Sequence, residues 1–149
     1  MFSMSTASLL TAAALALAIA APASAFTAVN RLDVTPLGGA RFEVIESRGA
    51  GPRQIWCAAA DYARRELGAG AAQRIYVETP RGPARTAPAR IAVGFTLAPG
   101  PELEQGPANG QGGNWSTRIR DQGYNLSTSF AFGFCQDGPD TDTRPWLRP

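Results

Sequence analysis

The sequence predicts an α+β domain in which one helix packs on a mainly antiparallel sheet of about five strands, held by a single disulfide. Three observations carry that expectation. Extended-looking segments surround one helical pattern in the order ββαβββ. The clearest of them alternate side chains with a period of two. Two cysteines, Cys57 and Cys135, stand far apart in a chain of 149 residues.

The opening "MFSMSTASLLTAAALALAIAAPASAF" reads as an export leader. Leu9 to Ala21 is an unbroken run of small and apolar residues, ended by Pro22. Ala23-Ser24-Ala25 supplies the small side chains a signal peptidase accepts, although the first eight residues carry no Lys or Arg. A membrane span needs about 20 consistently apolar residues, which this run reaches only by including Ser and Thr. The expected organisation is a signal peptide over 1–25, one α+β domain over 26–135 and a flexible tail over 136–149. No membrane span remains after signal removal, and the expected location is the periplasm or the medium.

"TAVNRLDV" and "RFEVIE" read as strands around the turn "TPLGGA". "SRGAGP" then leads into "RQIWCAAADYARRELG", with Pro52 at the first helical position, Gly68 past the end, and Arg64 and Arg65 at the negative pole of the helix dipole. On a helical wheel Ile55, Trp56, Ala59, Ala60, Ala63 and Leu67 share one face, and Asp61, Arg64 and Arg65 oppose it. Cys57 falls towards the polar side, at the rim of the expected core. "RIYVET" and "RIAVGFTL" read as strands joined by a Pro-rich loop, and Ala98–Asn114 as a long loop. "WSTRIRDQGY" reads as a short strand and turn. "NLSTSFAFGFC" looks like the strongest strand, with Leu126, Thr128, Phe130, Phe132 and Phe134 on one face. That face poses a puzzle: if the helix covers the phenylalanines, Cys135 points away from Cys57 unless the strand ends by Phe134. The favoured arrangement ends it there; the alternative lays the helix on the small-residue face.

The cysteines bound the chemistry. An exported chain matures where thiols oxidise, and an even, minimal count favours one bridge, Cys57–Cys135. A nucleophilic thiol needs a base, normally His, and the chain has none. A zinc site would have to combine two distant cysteines with carboxylates, and there is no C-x-x-C. The pieces "WCAAADYARRELG", "RIYVETPRG", "AVGFTL" and the closing "FGFC" resemble small exported bacterial proteins with a WCAAADYA-type helix and a C-terminal FC. The resemblance spans most of the chain after the leader. It implies export and the same disulfide, and no activity. The stretch Pro101–Asn114 and the tail after Cys135 are more elaborate than that pattern.

All 14 basic side chains are arginine, the formal charge is +2, and the two signs are interspersed, so no nucleic-acid or membrane-surface partner is indicated. No cofactor, metal or catalytic residue is expected. "RGAGPRQ" opens the helix with Arg48 and Arg53 and suits an anion, but Gln54 stands where a dinucleotide fingerprint has glycine; solvated arginines on an ordinary helix-opening loop are the alternative. A Walker loop would need lysine. Glu46 and Glu78 at strand ends, with Tyr76 and Trp56 to stack on sugar, outline a carboxylate-based hydrolase acting on cell-envelope glycan. Nothing in the sequence positions them as a pair. Ser47, Ser116, Ser127 and Ser129 lack both a histidine and a G-x-S-x-G setting. Asp137, Asp140 and Asp142 do not match a calcium loop, and the glycosylation sequons at Asn114 and Asn125 read as incidental. Trp115, followed by Arg118, Arg120 and Tyr124, has the make-up of a binding anchor; a tryptophan tucked under its own loop is the alternative. The functional expectation is a non-catalytic binding or interaction protein. Its partner would be an envelope protein or a small anionic or sugar-like ligand. A hydrolase and an inhibitory or structural module are the alternatives.

Overall fold

A computed structural model describes residues 24–107 and 117–137. Most of the expected leader, with the expected cleavage motif's Ala23, lies outside the described residues. So do Asn114, Trp115, Ser116, Asp140 and Asp142.

The α+β expectation holds. Strands β1 (Phe26–Thr27), β2 (Asp33–Gly38), β3 (Arg41–Ile45), β4 (Arg74–Pro83), β5 (Ile91–Thr96) and β6 (Asn125–Ser127) form one six-stranded sheet in the order β1-β2-β3-β5-β4-β6. Every pairing is antiparallel. Helix α1 (Pro52–Arg65) makes the long connection from β3 to β4. Registers such as Phe42↔Phe95↔Val77 and Val44↔Val93 line up apolar side chains beneath α1. The ring of Trp56 packs, tilted, 4.9 Å from that of Phe95, and the ring of Tyr62 4.7 Å from that of Phe42. The alanines of α1 let it lie close to this layer, as an apolar helical stripe over a sheet requires.

The strand borders shift where local chemistry demands. β2 takes in Pro36, which is tolerated because β1 pairs only with Asp33 and Val34, so no neighbour asks for the missing N–H. β4 runs through Pro80 and Pro83 with register shifts beyond Val77, extending into the segment expected as a loop. There the stretch 117–124 runs beside β4 without forming the expected short strand. Val77 N–H donates to Tyr124 C=O and Arg81 N–H to Ile119 C=O. The expected long loop contains a one-turn helix, α2 (Pro101–Glu104).

The largest correction concerns the C-terminal segment. Only Asn125–Ser127 is strand; Thr128–Gly133 is a helix, α3, followed by a 3₁₀ turn at Phe134–Gln136. Ser127 caps α3 by accepting the Phe130 N–H, and the Thr128 N–H and hydroxyl both donate to the Gln73 carbonyl. Thr128, Ala131 and Phe134 are buried, a spacing of three that competes with the alternation. The puzzle of the two sheet faces therefore dissolves. α3 and the turn pack on α1, not beneath it.

That packing also corrects the reading of α1. Arg53, Cys57 and Arg64 lie along one stripe of the helix, and each meets the C-terminal segment: Arg53 over Phe134, Arg64 over Phe132, and Cys57 in the disulfide to Cys135. The expected polar side is therefore covered in part: Ile55 to Ala63 is buried without a break, while Arg64 and Arg65 stay exposed. Cys57 is inside the core, not at its rim. Asp61 is 4% exposed; its carboxylate accepts the Val29 N–H at 2.9 Å and faces Arg65. Gly68, at φ +65°, ends the helix by turning the chain so that Ala69 N–H reaches Ala63 C=O.

Among the described residues no helix is long and apolar enough to cross a membrane.

Candidate functional site

The arginines singled out in two separate stretches of sequence flank the N-terminal end of α1, Arg48 in one cleft and Arg118 and Arg120 in another, with Arg53 in the first turn of the helix. Gln54 explains its own presence there: its side-chain oxygen accepts the Gly51 N–H at 3.0 Å, half of a capping box, while its carbonyl accepts from Asn30. A cleft of about 540 Å³ opens on one side, lined by Arg31, Arg48, Ala50, Gln54, Phe134 and Asp137 among others. A second, of about 400 Å³, opens on the other, lined by Arg81, Arg118, Ile119 and Arg120 together with Ala50 and Pro52. Ala50 belongs to both, so the Ala50–Pro52 turn is the ridge between them.

The second cleft is placed by the core. Trp56 is fully buried, and its indole N–H donates to the Arg118 carbonyl at 3.3 Å, which pins the 117–123 segment against α1. Tyr124 is fully buried as well, with its ring 6.2 Å from that of Trp56. Neither aromatic faces solvent, so the expected surface role of Tyr124 and sugar-stacking role of Trp56 are replaced by packing. Trp115 lies outside the described residues.

Each arginine is held differently. Arg81 forms a two-pronged pair with Glu46, at 2.6 and 2.8 Å, and Arg118 pairs with Asp121 at 3.0 Å. Arg53 pairs with Asp137 at 2.7 Å while its guanidinium lies 4.8 Å from the centre of the Phe134 ring. Arg48, in a left-handed conformation at φ +53°, donates to the Arg31 carbonyl at 2.7 Å. Arg120 is exposed and adds to the positive field at Glu46. This end of the molecule thus gathers six arginines, namely 31, 48, 53, 81, 118 and 120, against Glu46, Asp121 and Asp137. The whole chain has a formal charge of only +2, so the positive charge is concentrated here.

The two glutamates weighed for hydrolysis do not meet. Glu46 lines the second cleft; Glu78 lines another near α2 and is held by Arg41 at 2.7 and 3.0 Å. The hydrogen bonds from Arg81 hold the Glu46 carboxyl below its usual range, against the smaller opposing effect of burial. A general acid needs the reverse shift.

Two buried polar residues organise this domain in ways the sequence does not suggest: Glu43 draws no attention there, and Asn125 reads only as an incidental sequon. Glu43, on the sheet face away from α1, accepts the backbone N–H groups of Arg85 and Thr86 and the Thr86 hydroxyl, folding the β4–β5 loop back over the sheet. Asn125, the sequon residue, is 2% exposed, too enclosed for a glycan. Its amide donates to Gly123 C=O and its oxygen accepts from Arg74, tying the 100–107 segment to β6 through Asn125 N–H and Pro107 C=O. Both lie in strands where a polar residue ordinarily signals the wet face. Most of their partners are distant in sequence, Arg85 and Thr86 for Glu43 and Arg74 and Pro107 for Asn125, and no local pattern exposes them.

Among the described residues there is no group of three or more His, Cys, Asp or Glu side chains placed to hold a metal ion. No protein-family model matches the chain, and no curated protein or solved structure is significantly similar to it.

Proposed function

We propose that the protein is an exported, non-catalytic recognition domain that binds an anionic partner across the arginine-rich end of α1. The convergence of Arg48 and Arg53 with Arg118 and Arg120 on either side of the Ala50–Pro52 ridge carries this reading. Guanidinium groups present planar forks to carboxylates and other oxyanions. Exposed Pro52 on the ridge offers apolar contact area between the charges. The partner that fits best is an acidic segment of another envelope protein; a small anionic glycan would use the same groups. The leader and the disulfide support an oxidising compartment as the place of action. The hydrolase reading has little support, because its glutamates line separate clefts and each is neutralised by its own arginine.

The test is binding of a fluorescein-labelled hexaglutamate peptide, followed by anisotropy at low ionic strength. The wild type is expected to bind, and to bind more weakly as salt screens the contacts beyond a Debye length of about 10 Å at 0.1 M. Arg48→Gln combined with Arg120→Gln is expected to cost at least tenfold in affinity, roughly 1.4 kcal/mol, while leaving the melting temperature in place. Equal binding by the double variant would refute the reading.

A further inference from the structure

We propose that Asp137 is a built-in competitor for this surface, a carboxylate of the chain itself that an incoming carboxylate must displace from Arg53. The inference rests on the proposed anion-binding role and adds to it the chemical class of the group bound and the way binding is limited.

Asp137 is the one acid among the described residues lining the larger cleft, which Arg31 and Arg48 also line, and it pairs with Arg53 at 2.7 Å. It does not arrive there by chance of a loose side chain. Its backbone N–H donates to the Phe134 carbonyl at 3.1 Å, closing the 3₁₀ turn. Two residues earlier Cys135 is bonded to Cys57 in the core of α1. The turn therefore delivers the carboxylate to the mouth of the cleft as a fixed feature, and the Phe134 ring beneath Arg53 orients the guanidinium towards it.

The contact is also weak enough to exchange. The side chains of Arg53 and Asp137 are 62% and 45% exposed, and ion pairs so open to water contribute little to stability. The guanidinium already accepts a carboxylate, so its geometry suits another. The neighbouring Arg31 and Arg48 have no carboxylate partner among the described residues, and they draw a second anion to the same cleft. An acidic segment that engages Arg53 gains contacts to these two as well, which Asp137 alone does not provide. The built-in acid thus lowers the affinity for isolated anions and favours partners with several carboxylates close together.

The experiment compares hexaglutamate binding by the wild type, Asp137→Asn, Arg53→Gln and the double variant, at about 50 mM salt so that surface charges are incompletely screened. Asp137→Asn is expected to tighten binding about two- to fivefold, the range that exposed ion pairs are worth. That gain should vanish in the Arg53→Gln background, because Asp137 acts through Arg53. A gain that persists without Arg53 would show general repulsion instead and overturn the proposal, as would binding that is unchanged or weaker in Asp137→Asn. Absence of binding by every form would remove the anion-binding surface together with its competitor. Wild-type binding without the expected gain removes the competitor alone.

Discussion

Replacing both cysteines by alanine tests how this small domain is held together. The bridge joins positions 78 apart in sequence, so in the unfolded chain it closes a loop of that length. The chain-entropy relation gives about 4.5 kcal/mol for such a loop. Cys57 is 1% exposed and Cys135 half-buried, so trimming the two sulfurs adds on the order of 1 kcal/mol of lost packing. The sum is a large part of the roughly 5–15 kcal/mol that keeps a domain folded. For a domain of this size it corresponds to a fall in melting temperature of about 20–25 °C. Thermal unfolding followed by circular dichroism reads that fall, and urea unfolding reads a second signature. A chain without the cross-link expands further when unfolded, so its m-value rises. A variant that melts within about 5 °C of the wild type, with an unchanged m-value, would refute the reasoning and place the stability of the α1–α3 junction in its packing.

Two further predictions concern single positions. A Cβ on Gly106 would sit 2.1 Å from the Gly123 carbonyl oxygen, where backbone meets backbone and neither side can yield. Gly106→Ala is therefore expected to cost about 3 kcal/mol or more in urea unfolding. Gly100→Ala, with nothing within 4 Å of the new atom, should cost under about 1 kcal/mol; equal losses would discard the crossing as the cause. Because Arg81 lowers the folded-state pKa of Glu46, that carboxylate stabilises the fold above its unfolded pKa of about 4.3 and loses the effect as pH falls through the folded value. Glu46→Gln should accordingly lower the urea midpoint at pH 7 and match the wild type at pH 2–3. A difference that is independent of pH would contradict the assignment.

Much of the architecture is legible from residue spacing. Pro52 and Gly68 mark the ends of α1 to within a few residues, and the alternation in Ile91–Thr96 marks β5. The disulfide is legible from two cysteines in a chain read as exported, with no base present to serve a free thiol. α3 is hidden because Leu126 to Phe134 satisfies a two-residue period while Thr128, Ala131 and Phe134 satisfy a three-residue one. Ser127, a good N-cap, and the need for Cys135 to reach α1 were the signals that favour the helix. The burial of Asp61 could not be read locally, since it depends on the Val29 N–H, 32 residues away. Of the site, the arginine pairs at 48 and 53 and at 118 and 120 stand out in sequence as separate patches. Their convergence requires the bond from buried Trp56 to the Arg118 carbonyl, and the contributions of Arg31 and Arg81 follow only from the fold.

The unequal burial of the two sulfurs has a chemical consequence. A reducing thiolate can approach only Cys135, which borders open space beside the larger cleft, whereas Cys57 is enclosed by the core. Attack at Cys135 must expel the Cys57 sulfur as an anion into apolar surroundings, where a thiolate is a poor leaving group. The bridge is thus guarded by the direction in which it can be opened, and a mixed disulfide trapped during reduction would sit on Cys135.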